Sequence, residues 1–161
     1  MARNGTMLFC IPDFESTESN EIILNIVTGV MRSGNIMVLA RVDGEMRSVF
    51  DACGVSVKVG EFEETLPLIR DLFLVICSGL SAADIVIKVD SVNIPVLWII
   101  PEWCTQGPED VMFAGRACSD LFIALNHASH VVFLCDAQRA LYSTTTPTSG
   151  KAMTNVYIYI I

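Results

Sequence analysis

Five stretches of this chain are almost entirely apolar and show no alternation: TMLFCI at 6–11, NIMVLARV at 35–42, LFLVIC at 72–77, NIPVLWII at 93–100 and HVVFLC at 130–135. A strand wetted on one face alternates polar and apolar residues; a strand covered on both faces does not. Each run gives way to polar punctuation and then to apolar residues at helical spacing. Buried strands alternating with amphipathic helices imply parallel βαβ units. The expected fold class is therefore α/β: a three-layer Rossmann-like domain with a mostly parallel sheet of about six to seven strands flanked by helices.

In chain order, the first run leads into an acidic loop, PDFESTESNE at 12–21, in which Ser19 or Asn20 is placed to cap a helix over 21–32. That helix sets Ile23, Ile26, Val27 and Val30 on one face and stops at Gly34. Asp43-Gly44 turns the chain after the second run, ahead of a short helix over 45–52 and a β-branched third strand over 55–59. The segment 61–70 is acidic at its start and basic at its end, which complements a helix dipole. Ser78-Gly79 opens a helical stretch toward Lys88. Helices are also expected over 109–126 and from Asp136 to Tyr142, followed by a polar loop over 143–155 and a last strand in VYIYII. The whole of 1–161 reads as a single domain.

Composition narrows the function classes. Hydrophobic residues make up 52% and charged residues 17%, as a sheet covered on both faces requires. The net charge is −8 and the ten Lys and Arg are scattered, so no nucleic-acid partner is expected. Ser78, Gly79, Ser81 and Asp84 interrupt the longest apolar region, so no transmembrane segment is expected, and Asp13 cuts short the first run before it could serve as a signal peptide. Six cysteines without a CxxC pair suit a reducing cytosol, hence a cytoplasmic location, and show no metal-ligand spacing with the two histidines. Neither GxGxxG after the first strand nor GxxxxGK[ST] is present, so no cofactor and no metal are expected.

The order of features is more specific than any one of them. Glu18-Ser19-Asn20-Glu21 opens the first helix, Met31-Arg32-Ser33-Gly34-Asn35-Ile36-Met37-Val38 turns into the second strand, and GVSVKV at 54–59 forms the third. NIPVLWIIPEW at 93–103 ends a strand at Glu102; ASHVVFLC at 128–135 runs on into DAQRALY at 136–142, and NVYI follows at 155–158. This succession resembles the N-terminal, acceptor-side domain of GT-B fold glycosyltransferases, particularly the retaining family 4 group, over nearly the whole chain. The matching family segments are a GGAE loop, an R-x-G-H-x-V turn and a strand ending in His-Glu.

The resemblance implies transfer of a hexosyl group from a nucleotide sugar to a sugar or lipid-linked acceptor. It implies a C-terminal nucleotide-sugar-binding domain, or a partner chain, to hold the donor. It implies acceptor-binding loops at the carboxyl ends of strands one, four and five, with Glu102 as the catalytic candidate and Ser19, Asn20, Glu21 and Trp103 as substrate-binding candidates. Two departures bear on activity. Glu18 and Ser19 stand where the family has two glycines, crowding the approach of a diphosphate, and Pro101 stands where it has a proton-transferring His. The chain ends at Ile161 before a donor domain could begin, so it is expected to be inactive alone. The alternative is a noncatalytic interaction module derived from the same fold.

Other residues read more simply as structure. His127 and His130 flank a helix-to-strand junction without zinc spacing, and Cys135 reads as a buried core thiol. Glu61, Glu63 and Glu64 suit a helix start, and Trp98 reads as core.

Overall fold

Leu8 and Phe9 are both fully buried although their side chains leave opposite faces of one strand. That is what a central strand covered by helices on both sides requires. The computed structural model describes residues 5–102 and 118–145. Its elements, in chain order, are β1 (Thr6–Asp13), α1 (Glu18–Val30), β2 (Asn35–Val42), α2 (Arg47–Ala52), β3 (Ser56–Val59), α3 (Phe62–Thr65), β4 (Leu72–Ser78), α4 (Ala83–Asp90), β5 (Val96–Ile100), α5 (Cys118–His127), β6 (His130–Phe133) and α6 (Asp136–Thr145).

Among the described residues the six strands form one sheet in the order β3-β2-β1-β4-β5-β6, and each neighbouring pair is parallel. One face packs Phe9, Val38, Ile76 and Ile99 against Ile23 and Val27 of α1 and Phe50 of α2. The other packs Leu8, Cys77, Trp98 and Val131 against Val86 and Val89 of α4 and Leu121 and Ala124 of α5. These are the three layers expected. All six described strands are parallel, and the expected strand VYIYII and residues 109–117 of the expected helix lie outside the described residues. Among the described residues no helix is long and apolar enough to cross a membrane.

Element ends differ from expectation for local physical reasons. Thr17, not Ser19 or Asn20, caps α1: its side-chain oxygen accepts from the Asn20 amide at 3.2 Å, so residues 18–21 are already helical. The expected 61–70 helix divides into α3 and a 3₁₀ turn, Leu66–Leu68, where Pro67 supplies no amide proton. β5 begins at Val96, because Asn93 adopts a left-handed φ of 57° and Pro95 follows. α6 runs to Thr145, so the polar loop expected from 143 begins with three residues of helix.

The first two strand ends are locked together. Phe14 donates to Val42 O at 3.1 Å and Met46 donates to Phe14 O at 2.8 Å, which brings Gly44 against the Phe14 backbone. A Cβ on Gly44 would lie 2.4 Å from Phe14 C and O. Gly44→Ala is therefore expected to cost about 1–3 kcal/mol, the usual range for overpacking, read from urea unfolding midpoints; a change near zero would mean the two turns separate freely.

Candidate functional site

Because every strand runs the same way, all their carboxyl ends share one edge, and the strand order reverses between β1 and β4. Open α/β sheets bind ligands in the crevice at such a reversal. Three structures built from short-range sequence line that edge: the β1–α1 loop, the β4–α4 turn and the end of β5.

In the β1–α1 loop, Asn20 is buried and its side-chain amide donates to Asp13 O at 3.0 Å, Asp13 Oδ1 at 3.2 Å and Glu15 O at 2.9 Å. Asn20 therefore shapes the loop from within. Ser19 is half-buried beside it and Glu21 is exposed, both in the first turn of α1. Of these substrate-binding candidates, Ser19 and Glu21 present their side chains toward solvent to differing degrees, whereas the Asn20 amide is committed to the protein.

The β4–α4 turn begins at Gly79, with φ 86° and ψ 158°, and continues through the 3₁₀ turn Leu80–Ala82. Gly79 donates its amide to Ile99 O at 3.0 Å and accepts at its carbonyl from Trp98 Nε1 at 2.9 Å. Leu80 donates its amide to Glu102 Oε1 at 2.7 Å. Glu102 thus lies on the crevice edge, but its carboxylate docks on the start of the α4 segment. Its other oxygen, Oε2, is buried and has no hydrogen-bond partner among the described residues. Nor does any hydrogen bond among them join Glu102 to Ser19, Asn20 or Glu21. Trp103 lies outside the described residues.

Burial pushes the Glu102 carboxyl above its ordinary 4.5, and hydrogen bonds from the Leu80 amide and from its own backbone amide pull it partly back. The raised value has a definite sign in stability. Below 4.5 both folded and unfolded chains hold the proton. As pH rises the unfolded chain ionises first, so the Glu102 contribution declines until the folded carboxyl has ionised too. Relative to Glu102→Gln, the parent is expected to lose thermal stability as pH rises from about 4 to about 7. A parent-minus-variant melting difference that stays level or rises over that range would rule out the buried-acid reading.

Two residues of the edge were not singled out in the sequence. Gln138, on α6, is 2% exposed and donates to Ile100 O at 2.8 Å and Glu102 O at 2.7 Å, while accepting from the Leu134 amide at 2.9 Å. Arg41, near the end of β2, pairs with Asp84 of α4, lies 3.6 Å from Glu61 and donates to Ser81 O at 3.4 Å. An arginine inside the otherwise apolar NIMVLARV was the available signal for the second. Gln138 had none, as a polar helix residue between Ala137 and Arg139. Elsewhere, His127 Nδ1 meets Asp90 Oδ2 at 2.6 Å at the far ends of α5 and α4, away from this edge. Among the described residues no group of three or more His, Cys, Asp and Glu could hold a metal ion.

No protein-family model matches the sequence, and no curated protein matches it. Solved structures do. Anabaena HepE in complex with UDP-glucose superposes with a TM-score of 0.73 at 12% identity, over 95% of this chain and 43% of that one. HepE in complex with UDP gives 0.70 at 13% identity, over 94% of this chain and 43% of that one. An E. coli structure, trehalose-6-phosphate synthase bound with UDP-2-fluoro glucose, gives 0.53 at 12%, over 94% and 48%. The chain thus spans less than half the length of each. At these identities the likeness shows the fold alone, a Rossmann-like α/β sheet flanked by helices that matches under half of each of those chains.

Proposed function

We propose that this chain is the acceptor-side half of a glycosyltransferase that moves a hexosyl group from a nucleotide sugar to a sugar or lipid-linked acceptor. A C-terminal nucleotide-sugar-binding domain, or a partner chain, completes the enzyme. The observation that carries the reading is the near-complete superposition of this chain on under half of a UDP-glucose-bound structure, together with a polar edge at the reversal of the sheet.

The reaction separates a sugar from a nucleoside diphosphate, so the charge that develops on the departing diphosphate must meet preorganised donors. This edge offers few. Glu18 and Glu21 are acidic, Asn20 is committed to its own loop, and Arg41 is paired with Asp84. The donor is accordingly held by the other half, and this half supplies the acceptor wall through Ser19, Glu21 and Trp103. Glu102 serves that wall through the β4–α4 turn on which it docks.

The test joins the chain to a GT-B donor domain and measures turnover of a UDP-hexose. The isolated chain is expected to show none and the joined form to turn over. Turnover by the isolated chain would overturn the reading. A joined form that folds and binds donor but does not turn over would favour a noncatalytic interaction module, the second reading, which Pro101 and the engaged Glu102 carboxylate support. Glu102→Gln in the joined form separates the roles of that carboxylate. A general acid or base loses about 10²–10⁴-fold on neutralisation, whereas a docking carboxylate replaced by an amide that still accepts from Leu80 is expected to lose about tenfold or less.

A further inference from the structure

β5 and β6 stop pairing at Ile100 and Phe133, and beyond that point their backbone groups need other partners if they are to stay buried. Gln138 provides three. Its amide has two N–H donors and one carbonyl, and all are used: the donors on Ile100 O and Glu102 O, the carbonyl on the Leu134 amide. The two carbonyls it grips lie on either side of Pro101, whose ring fixes φ and whose nitrogen has no proton to offer elsewhere. Few torsions remain free between the two anchors, so the Glu102 backbone is held in place. From there the carboxylate reaches across to the Leu80 amide, and Trp98 closes the loop by donating to Gly79 O.

We infer that Gln138 is a positioning residue: by gripping the backbone on both sides of Pro101 it docks Glu102 on Leu80 and makes the ends of β4, β5 and β6 one hydrogen-bonded unit. The unit explains how a proline fits at this strand end, since the segment it occupies is fixed from α6 rather than by further β5–β6 pairing. Its weight in sugar transfer rests on the function proposed above; the hydrogen bonds themselves do not, and they are what the experiment reads.

The test is NMR on the isotopically labelled chain. Over a pH titration the Leu80 amide, the Gln138 side-chain amide and the Trp98 indole proton are expected to shift with one common midpoint, that of Glu102. A Gln138 amide that stays flat while Leu80 moves would overturn the inference. In Gln138→Met, the Leu80 amide is expected to exchange with solvent about tenfold faster while amides of Phe9 and Val38, in the sheet centre, keep their protection. An unchanged Leu80 rate in a folded Gln138→Met chain would equally overturn it. If that variant fails to fold, the titration of the parent decides alone, and neither outcome depends on transferase activity.

Discussion

Trp98→Ala is expected to lower the unfolding free energy by about 3–5 kcal/mol, the range for emptying a buried aromatic site. Trp98 is fully buried in the middle of β5, in register with Cys77 on one side and Val131 on the other, under α4 and α5. Alanine would leave most of the indole volume vacant between strands held by backbone ladders, so the site can close only a little. It would also remove the indole donor from Gly79 O, leaving that buried carbonyl only the Ala82 amide at 3.2 Å. Trp98→Phe separates the two losses. Phenylalanine refills much of the volume but offers no N–H, so it is expected to cost about 1–3 kcal/mol. Urea unfolding at constant pH measures both, with similar m-values required for the comparison. If Phe costs as much as Ala, the hydrogen bond outweighs the packing; if Ala costs under about 1 kcal/mol, Trp98 is not the core residue described here.

The strands were legible because burial on both faces writes itself into every position. TMLFCI could not alternate when Leu8, Phe9 and Cys10 are all covered, and the same holds for LFLVIC and VLWII. Pro67 and Pro95 were not read as breaks: the helix expected over 61–70 and the strand expected over 93–100 both run through them, although each lacks an amide proton. The cap of α1 was not legible either. ESTESNE offers several side chains able to cap, and which one does is decided by Asn20 turning inward to Asp13 and Glu15, a tertiary fact. Glu102 shows the limit most clearly. The sequence places it just past a strand end, at the carboxyl edge of the sheet, and it is there. Where its carboxylate goes depends on an amide 22 residues earlier and on a glutamine 36 residues later, and no local pattern encodes either contact. Arg41 lies between these cases: a charge in a buried run announces a partner but does not say that the partner is Asp84.

Gly79→Ala is expected to cost about 3–5 kcal/mol in the parent, from two sources that a second substitution can part. The first is backbone strain. At φ 86° and ψ 158° Gly79 occupies a region that residues with a Cβ essentially avoid, worth about 1–3 kcal/mol. The second is the carboxylate: a Cβ there would lie 2.8 Å from Glu102 Oε1, too close for the acceptor to stay on the Leu80 amide. Displacing it forfeits a hydrogen bond to a charged group, worth about 1.5–3 kcal/mol. In a Glu102→Ala background the carboxylate is already gone, so Gly79→Ala should cost only the strain. The coupling between the two sites, read from a double-mutant cycle in urea, is therefore expected to be about 1.5 kcal/mol or more. Equal costs in both backgrounds would show that the carboxylate is not what Gly79 makes room for, and would detach Glu102 from the β4–α4 turn. A large coupling would mean that Gly79 is glycine for two reasons at once: its own backbone angles, and the approach of a carboxylate from the neighbouring strand end.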